Sequence, residues 1–570
     1  MSKAFDFKPL FSNWLFPIII LLIINYLYFL PVLSGKVIEQ DDIMLGYAKS
    51  KEIRDYRESH DDEPLWTNAM FSGMPTFQLS TAYPNNWLGG IQNLFATIFG
   101  QNSWVYIFPL MLISFFLTAR SYKVNPYISA LGAFAFAFSS FFIISFAAGH
   151  VAKVRTAAYI PALIMGVMLT YKGKERSGFC ITALAIGLSV VSNHFQITFY
   201  NGLILLCMAV IFLIQFAKES KLPLFVRRSV ILIAAAILGI APNVGNLWST
   251  LSYTQETIRG GNSRLEEEAG KETGKKGLDY DYAMMWSYGK TETLNLFIPF
   301  ISGGGAKESY DGTATYDRLT SIFSQQGMSR QKAAETANQY TGSILYWGDQ
   351  SLVNGAYYVG AVMVFLFVLG LFIIDPVTRN WILAASILSV LMAWGKNLEF
   401  FNRFLFENMP LYNKFRIPSM SLVIMFFTIP LASVLGLQKV IDNSVPKDTL
   451  KKKLLYSLYI TGGLALFIAL LGPSLFSLES PRDSQFVNQG FSLDMLLDDR
   501  ESLMRSSAFS SLLFVVLSFG AIWLFVIDKL KLNMLLVVLF VLAGFDLITY
   551  DRDQLGSEDF VTEKKAEAQF

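Results

Sequence analysis

The sequence has little charge, little cysteine and little histidine. Only 16% of its 570 residues are Asp, Glu, Lys or Arg, whereas soluble domains carry about a quarter. Apolar residues make up 53%, and the mean hydropathy is +0.42. That balance excludes a disordered chain and an ordinary soluble enzyme. The two cysteines, Cys180 and Cys207, sit in apolar runs, so no disulfide framework or thiolate metal site is readable. The three histidines, His60, His150 and His194, lie in separate segments and form no ligand-spaced pair. A net charge of +2 offers no bulk basic field for nucleic acid. There is no GxxxxGK[ST] loop, which excludes an ATP-driven pump within this chain. No repeat relates the two halves, which weakens a secondary-transporter reading.

What the chain has instead is long hydrophobic runs. A bilayer core about 30 Å thick needs roughly 20 apolar residues per helix. Thirteen candidates fall near 14–33, 104–120, 127–147, 156–171, 178–193, 197–216, 227–243, 356–374, 380–395, 419–438, 455–475, 509–527 and 532–548. Each must be helical, because lipid satisfies no open backbone. The fold class expected is an all-α polytopic membrane protein of about 13 transmembrane helices with large extracytoplasmic loops.

Alternate short loops carry the positive charge: Lys3 and Lys8; Arg120 and Lys123; Lys172, Lys174 and Arg176; Lys218, Lys221, Arg227 and Arg228; Arg379; Lys439, Lys447 and residues 451–453; Lys529 and Lys531. The positive-inside rule makes this set cytoplasmic, with the N-terminus. An odd span count puts the C-terminus outside. The bulk of the loops, 34–103, 244–355 and 476–508, then faces outward, and an enclosed site must be built there or within the membrane.

Cations on the expected outer side break the rule. The loop after the third span holds His150, Lys153 and Arg155, and the loop after the ninth holds Lys396, Arg403, Lys414 and Arg416. Singly, each reads as a snorkelling side chain or an ion-pair partner. Together they suit an anionic ligand at the membrane boundary, such as a lipid-linked phosphate. Opposite them, Asp41 and Asp42 follow the first span. A paired carboxylate there can act as a general base or hold a divalent cation, and an acidic turn in solvent is the plainer alternative. An acid beside a phosphate-binding cluster is what transfer from a glycosyl phosphate requires.

Residues 43–58 read as an amphipathic helix on the bilayer, with Ile43, Met44, Tyr47 and Ile53 toward lipid. The polar end of the fifth span, around Asn193 and His194, is either functional or an interhelical hydrogen-bond set. In loop 244–355, stretch 254–279 reads as mobile, and the glycine run 303–305 as a weak phosphate-cradle signal. The loop as a whole is read as a lid over a lipid-linked substrate.

These features resemble the GT-C glycosyltransferase fold and, more closely, the YfhO family of bacterial membrane proteins. The segments behind the resemblance are QDDIMLGYAK at 40–49, WTNAMFSGMPTF at 66–77, GHVAKVRTAAYIP at 149–161 and NHFQITFY at 193–200. Further ones are GLDYDYAMMWSYGKTETLNLFIP at 277–299, YWGDQ at 346–350 and LYNKFRIPSM at 411–420. The resemblance implies a transferase that moves a sugar from a polyprenyl-phosphate donor to a cell-envelope glycan or lipid acceptor, on the outer face of the bacterial cytoplasmic membrane. It implies that Asp41 or Asp42 matches the first-loop catalytic acid. Similar proteins often continue past a segment like DFVTEKKAEAQF at 559–570 into a further extracytoplasmic domain and span, so the resemblance implies either a truncated chain or a short variant.

The expectation is therefore an inverting GT-C-type enzyme. Residues 1–243 form an N-terminal transmembrane module, 244–355 a large outer loop, 356–548 the C-terminal helices and 549–570 an outer tail. Asp41 is the first choice of base, with Asp42 as alternate base or metal ligand for Mg or Mn. His150, Lys153, Arg155, His194, Arg403, Lys414 and Arg416 would hold donor and acceptor. The alternatives are a lipid-linked saccharide flippase and a non-catalytic assembly scaffold.

Overall fold

The structure is a computed structural model that describes residues 14–80, 83, 85–100, 102–260, 277–351 and 353–567. Lys3, Lys8 and most of the stretch read as mobile lie outside the described residues. All thirteen apolar runs are helical. Eight of these helices are long and apolar enough to cross a membrane, and a bent pair makes a ninth. Leu15–Tyr28, Ile107–Ser121 and Ala361–Ile373 are shorter apolar helices. The chain is a multi-pass, all-α membrane protein by this architecture.

The centre of the bundle is Pro418–Ile441, 94% buried, while Leu222–Thr254 at the periphery is only 11% buried. In lipid no hydrophobic force drives helices together, so close backbone approach must do it. Gly370 and Gly436 supply that approach. A Cβ on Gly370 would lie 2.4 Å from the Ala432 carbonyl, and one on Gly436 would lie 2.4 Å from Gly370 Cα.

The bent pair, Pro126–Ala137 and Ser140–Ala147, turns by 43°. A break there frees backbone groups that lipid cannot satisfy. The extended segment before Ala361–Ile373 meets that need. Ser140 N–H donates to the Tyr358 carbonyl at 3.0 Å, and Ser140 Oγ donates to the Ala356 carbonyl at 2.8 Å.

Outside the bundle, the described loops are pinned by buried acids. Glu292 accepts from Tyr346 OH at 2.6 Å and from the Gly289 and Asp349 N–H groups. Asp499 accepts from the Ala314 and Thr315 N–H groups at 3.0 and 2.8 Å, at the start of helix Ala314–Gln325. Arg500 makes a two-pronged pair with Asp483, both bonds 2.7 Å, and is itself wholly buried. A second apolar cluster, with Tyr310, Leu319, Leu345, Phe491 and Leu496 in it, joins the second large loop to the third.

The glycine run has a structural role. Gly305 N–H donates to Glu308, and a Cβ on Gly305 would lie 2.1 Å from the Asn354 backbone. The anion that this run cradles is the chain's own Glu308 carboxylate. The helix expected over 43–58 is two helices, Asp41–Lys49 and Lys51–Ser59, meeting at Ser50. Ile53, expected to face lipid, is 1% exposed.

Two strands near the ends of the chain meet. Lys36–Ile38 pairs antiparallel with Phe560–Thr562, and Glu39 N–H donates to the Asp559 carbonyl. The first loop and the C-terminal tail therefore lie on the same side of the bundle, beside Asp41 and Asp42.

Candidate functional site

The site begins at a helix end. Gln40 adopts an extended conformation, and Asp41–Lys49 starts directly after it. Acids in a first turn oppose the positive end of the helix dipole, so Asp41 and Asp42 favour this start. Gln40 is buried and its side chain donates to the Phe146 carbonyl. That bond ties the start of the helix to the loop carrying His150.

Gly149 completes the junction. Its φ is +86°, and a Cβ there would lie 3.0 Å from Ile43 N and 3.1 Å from Asp42 Cβ. Only glycine allows both the turn and the approach. As a result His150 Nε2 lies 2.8 Å from Asp42 Oδ2. On the other side of the ring, Lys153 Nζ lies 3.1 Å from His150 Nδ1 and 3.4 Å from Ser145 Oγ. One proton arrangement satisfies both contacts of a neutral ring: Lys153 donates to Nδ1, and Nε2–H donates to Asp42. Partial removal from water, and then the ammonium of Lys153, push the His150 pKa down to about 4, although Asp42 pulls it up. His150 is therefore neutral at physiological pH.

Lys153 is 6% exposed. Arg155, two residues on, donates to Tyr106 OH at 3.3 Å and lies over the Trp104 ring, while its buried Nε has no partner among the described residues. Arg416 donates to Tyr282 OH at 2.6 Å and lies between the Tyr282 and Trp286 rings. Among the described residues, no carboxylate pairs with Lys153, Arg155 or Arg416.

His194 caps helix Phe195–Lys218, accepting from Ile197 N–H at 3.3 Å. Its pKa is pushed down to about 3 by burial and by the charges of Lys153, His150 and Arg259. Arg259 in turn has its pKa lowered by burial and by Arg416. Direct contacts thus join Asp42, His150 and Lys153 in a line, while His194 feels the charges of Lys153 and Arg259, and Arg259 that of Arg416. Gln196 donates to the Arg416 carbonyl at 2.7 Å. Ile417, the next residue, holds φ +62°, a strained conformation for a β-branched side chain.

Other expected members sit differently. Asp41 is exposed, and its side chain has no hydrogen-bond or ion-pair partner among the described residues. Arg403 stands outside the line. It pairs with Glu399 one turn earlier, at 2.6 Å, and lies over Tyr280. Lys414 Nζ donates to the Arg259 carbonyl at 2.5 Å, which fixes Arg259 rather than presenting a second phosphate contact. Asn193 accepts from Asn246 at 3.1 Å, and Ser192 from Gln92 at 2.9 Å, so part of the polar end of the fifth run is interhelical bonding.

Sequence reasoning missed Arg259, whose neighbours in the chain read as featureless loop. No three His, Cys, Asp or Glu side chains come together in metal-binding geometry among the described residues. Among those residues Asp42 therefore lacks the companions for a protein-held divalent ion.

The arrangement provides one oriented carboxylate, a neutral imidazole held between it and a buried ammonium, and cations without carboxylate partners. No protein-family model, curated protein or solved structure matches the chain.

Proposed function

We propose that the protein is a membrane glycosyltransferase with a GT-C-like, YfhO-like architecture of thirteen spans. Its N-terminus is cytoplasmic, and its site lies at the outer face of a bacterial cytoplasmic membrane. The donor is a sugar on a polyprenyl phosphate, and the acceptor a hydroxyl of an envelope glycan or lipid. The observation that carries this reading is a set of cations with no carboxylate in direct ion-pair contact among the described residues, Lys153, Arg155 and Arg416, beside the oriented Asp42. A desolvated cation without a counter-ion is costly, and a phosphate would supply the missing charge.

In this scheme Asp42 takes the proton from the acceptor hydroxyl. The oxygen attacks the anomeric carbon from the face opposite the phosphate, the bond from that carbon to the phosphate oxygen breaks, and the configuration inverts. Lys153 and Arg155 receive the charge that develops on the leaving phosphate, and Arg416 orients it. His150 is a positioning residue that aims Asp42 and links it to Lys153. Asp41, free of protein partners, faces the side from which the acceptor arrives.

The test uses the full chain in nanodiscs with a panel of polyprenyl-phosphate hexoses, and reads release of polyprenyl phosphate together with donor binding. Removing a general base costs roughly 10²–10⁴ in rate. Asp42→Asn should lose turnover in that range and still bind donor. Arg155→Gln should weaken donor binding. Wild-type turnover in Asp42→Asn, or donor crossing the bilayer chemically unchanged, would sink the reading; the second result favours a flippase.

A further inference from the structure

A cavity lies at the opposite end of the bundle. Helices Val151–Tyr171 and Phe195–Lys218 begin at the candidate site and end at this cavity. At 1.5 Å per residue that is about 30 Å away, one hydrocarbon thickness. The cavity holds about 400 Å³. One wall is apolar, built from Met168, Phe212, Phe216 and Leu224. Tyr171 forms part of that wall, stacked between Phe212 and Phe225 with ring centroids 4.5 and 5.6 Å away.

The opposite wall is polar and under-used. Tyr122 OH is buried and has no hydrogen-bond partner among the described residues, although the side chain lines the space. Lys172 Nζ lies 4.6 Å above the Tyr122 ring. Arg228 sends Nη1 to the Tyr171 carbonyl at 2.7 Å and Nε to Glu175 at 3.2 Å. Its Nη2 lies against Gly173, where a Cβ would come within 2.9 Å. Glu219 is occupied by Lys221 at 2.8 Å; Asp375 lines the cavity, caps the Thr378 N–H through one oxygen, and is the carboxylate whose charge acts on Lys172 and Tyr122. The four segments that form this end, 120–126, 172–176, 218–228 and 375–379, carry ten Lys and Arg against three carboxylates.

A buried phenol with no acceptor calls for one, and the surplus charge calls for an anion. The aromatic wall beside them calls for hydrocarbon. We propose that this cavity seats an anionic phospholipid of the leaflet opposite the candidate site. Its phosphodiester sits on Tyr122 OH and Lys172, and one acyl chain lies along Phe212, Phe216 and Leu224. The inference is independent of the transferase reading, because no residue is shared between the two sites. Charge that only sets topology explains basic loops, but it does not explain an aromatic cavity with an unspent hydroxyl.

The experiment reconstitutes the full chain in nanodiscs of phosphatidylglycerol or phosphatidylcholine and counts retained lipid by native mass spectrometry after release into detergent. Wild-type protein should retain phosphatidylglycerol several-fold over phosphatidylcholine. A hydrogen bond to a charged group converts to roughly tenfold in affinity. Tyr122→Phe, which keeps the ring, and Lys172→Gln should each lower retention by about that factor, whereas Lys529→Gln elsewhere on this face should not. Equal retention of the two lipids, or unchanged retention in both cavity variants, overturns the proposal. So does tight binding of inorganic phosphate to delipidated protein with no lipid preference.

Discussion

Gly149→Ala separates the geometry of the site from the stability of the fold. At φ +86° an L-residue is strained by about 1–2 kcal/mol. The new methyl would also lie 3.0 Å from Ile43 N and 3.1 Å from Asp42 Cβ, so the helix start has to move by a few tenths of an ångström. What resists that movement is weak. The His150–Asp42 contact has side chains 45% and 52% exposed, and such pairs contribute about 0.2–1 kcal/mol. The strain exceeds the contact, so the contact yields while the bundle stays folded. With only three histidines in the chain, ¹⁵N-histidine labelling resolves His150 directly. Wild-type protein should show a slowly exchanging Nε2 proton at His150. Gly149→Ala and Asp42→Asn should both lose it, with His194 unchanged, and Gly149→Ala should lose transferase turnover in step. An unaltered His150 proton in Gly149→Ala would refute the close-approach argument.

Three more expectations concern the large loops. Burial raises the Glu308 pKa from 4.5 to about 7. Its contribution to stability is therefore full below about pH 4.5 and is lost as pH rises to about 7, by roughly 3 kcal/mol. Melting curves across that range should fall with pH in wild type and flatten in Glu308→Gln; parallel curves would contradict this. Arg500→Met strands Asp483 in the interior and should cost about 3–5 kcal/mol in thermal or denaturant stability, with Arg500→Met/Asp483→Leu recovering most of it. Asp499→Ala removes three hydrogen bonds from the start of Ala314–Gln325 and should cost about 1–2 kcal/mol. Amide exchange at residues 314–317 should accelerate, and unchanged protection there would count against the cap.

The helices were legible because lipid leaves the backbone no other choice, and hydropathy alone finds such segments. Their ends were less so. Leu493–Val526 runs well past its apolar part, since Asp499 and Arg500 find partners in the loops instead of ending the helix. The bend at 138–139 carries no proline, and the segment that fills it comes from more than two hundred residues downstream. At the site, Asp42, His150 and Lys153 meet because Gly149 permits the turn and the close approach, a glycine whose role the sequence reading did not pick out. Arg403 misled because Glu399 four residues earlier already spends its charge, a pairing that helix spacing reveals. Arg259 and the buried carboxylates of Glu292 and Glu308 depend on long-range packing, and an acid in a loop looks alike whether it staples or is solvated. In Glu308 the missed signal was its place directly after a glycine run, where backbone N–H groups lie open to a carboxylate.

The ribosome makes the strand Lys36–Ile38 early and its partner Phe560–Thr562 more than five hundred residues later. Until that late strand emerges, the hinge leading into Asp41–Lys49 has no edge to lean on. Insertion of the helices can proceed in order, yet the acid-bearing turn gains its support only once residues 560–562 have been made. Nascent chains stalled before residue 560 would thus be embedded in the bilayer with that turn still unbraced.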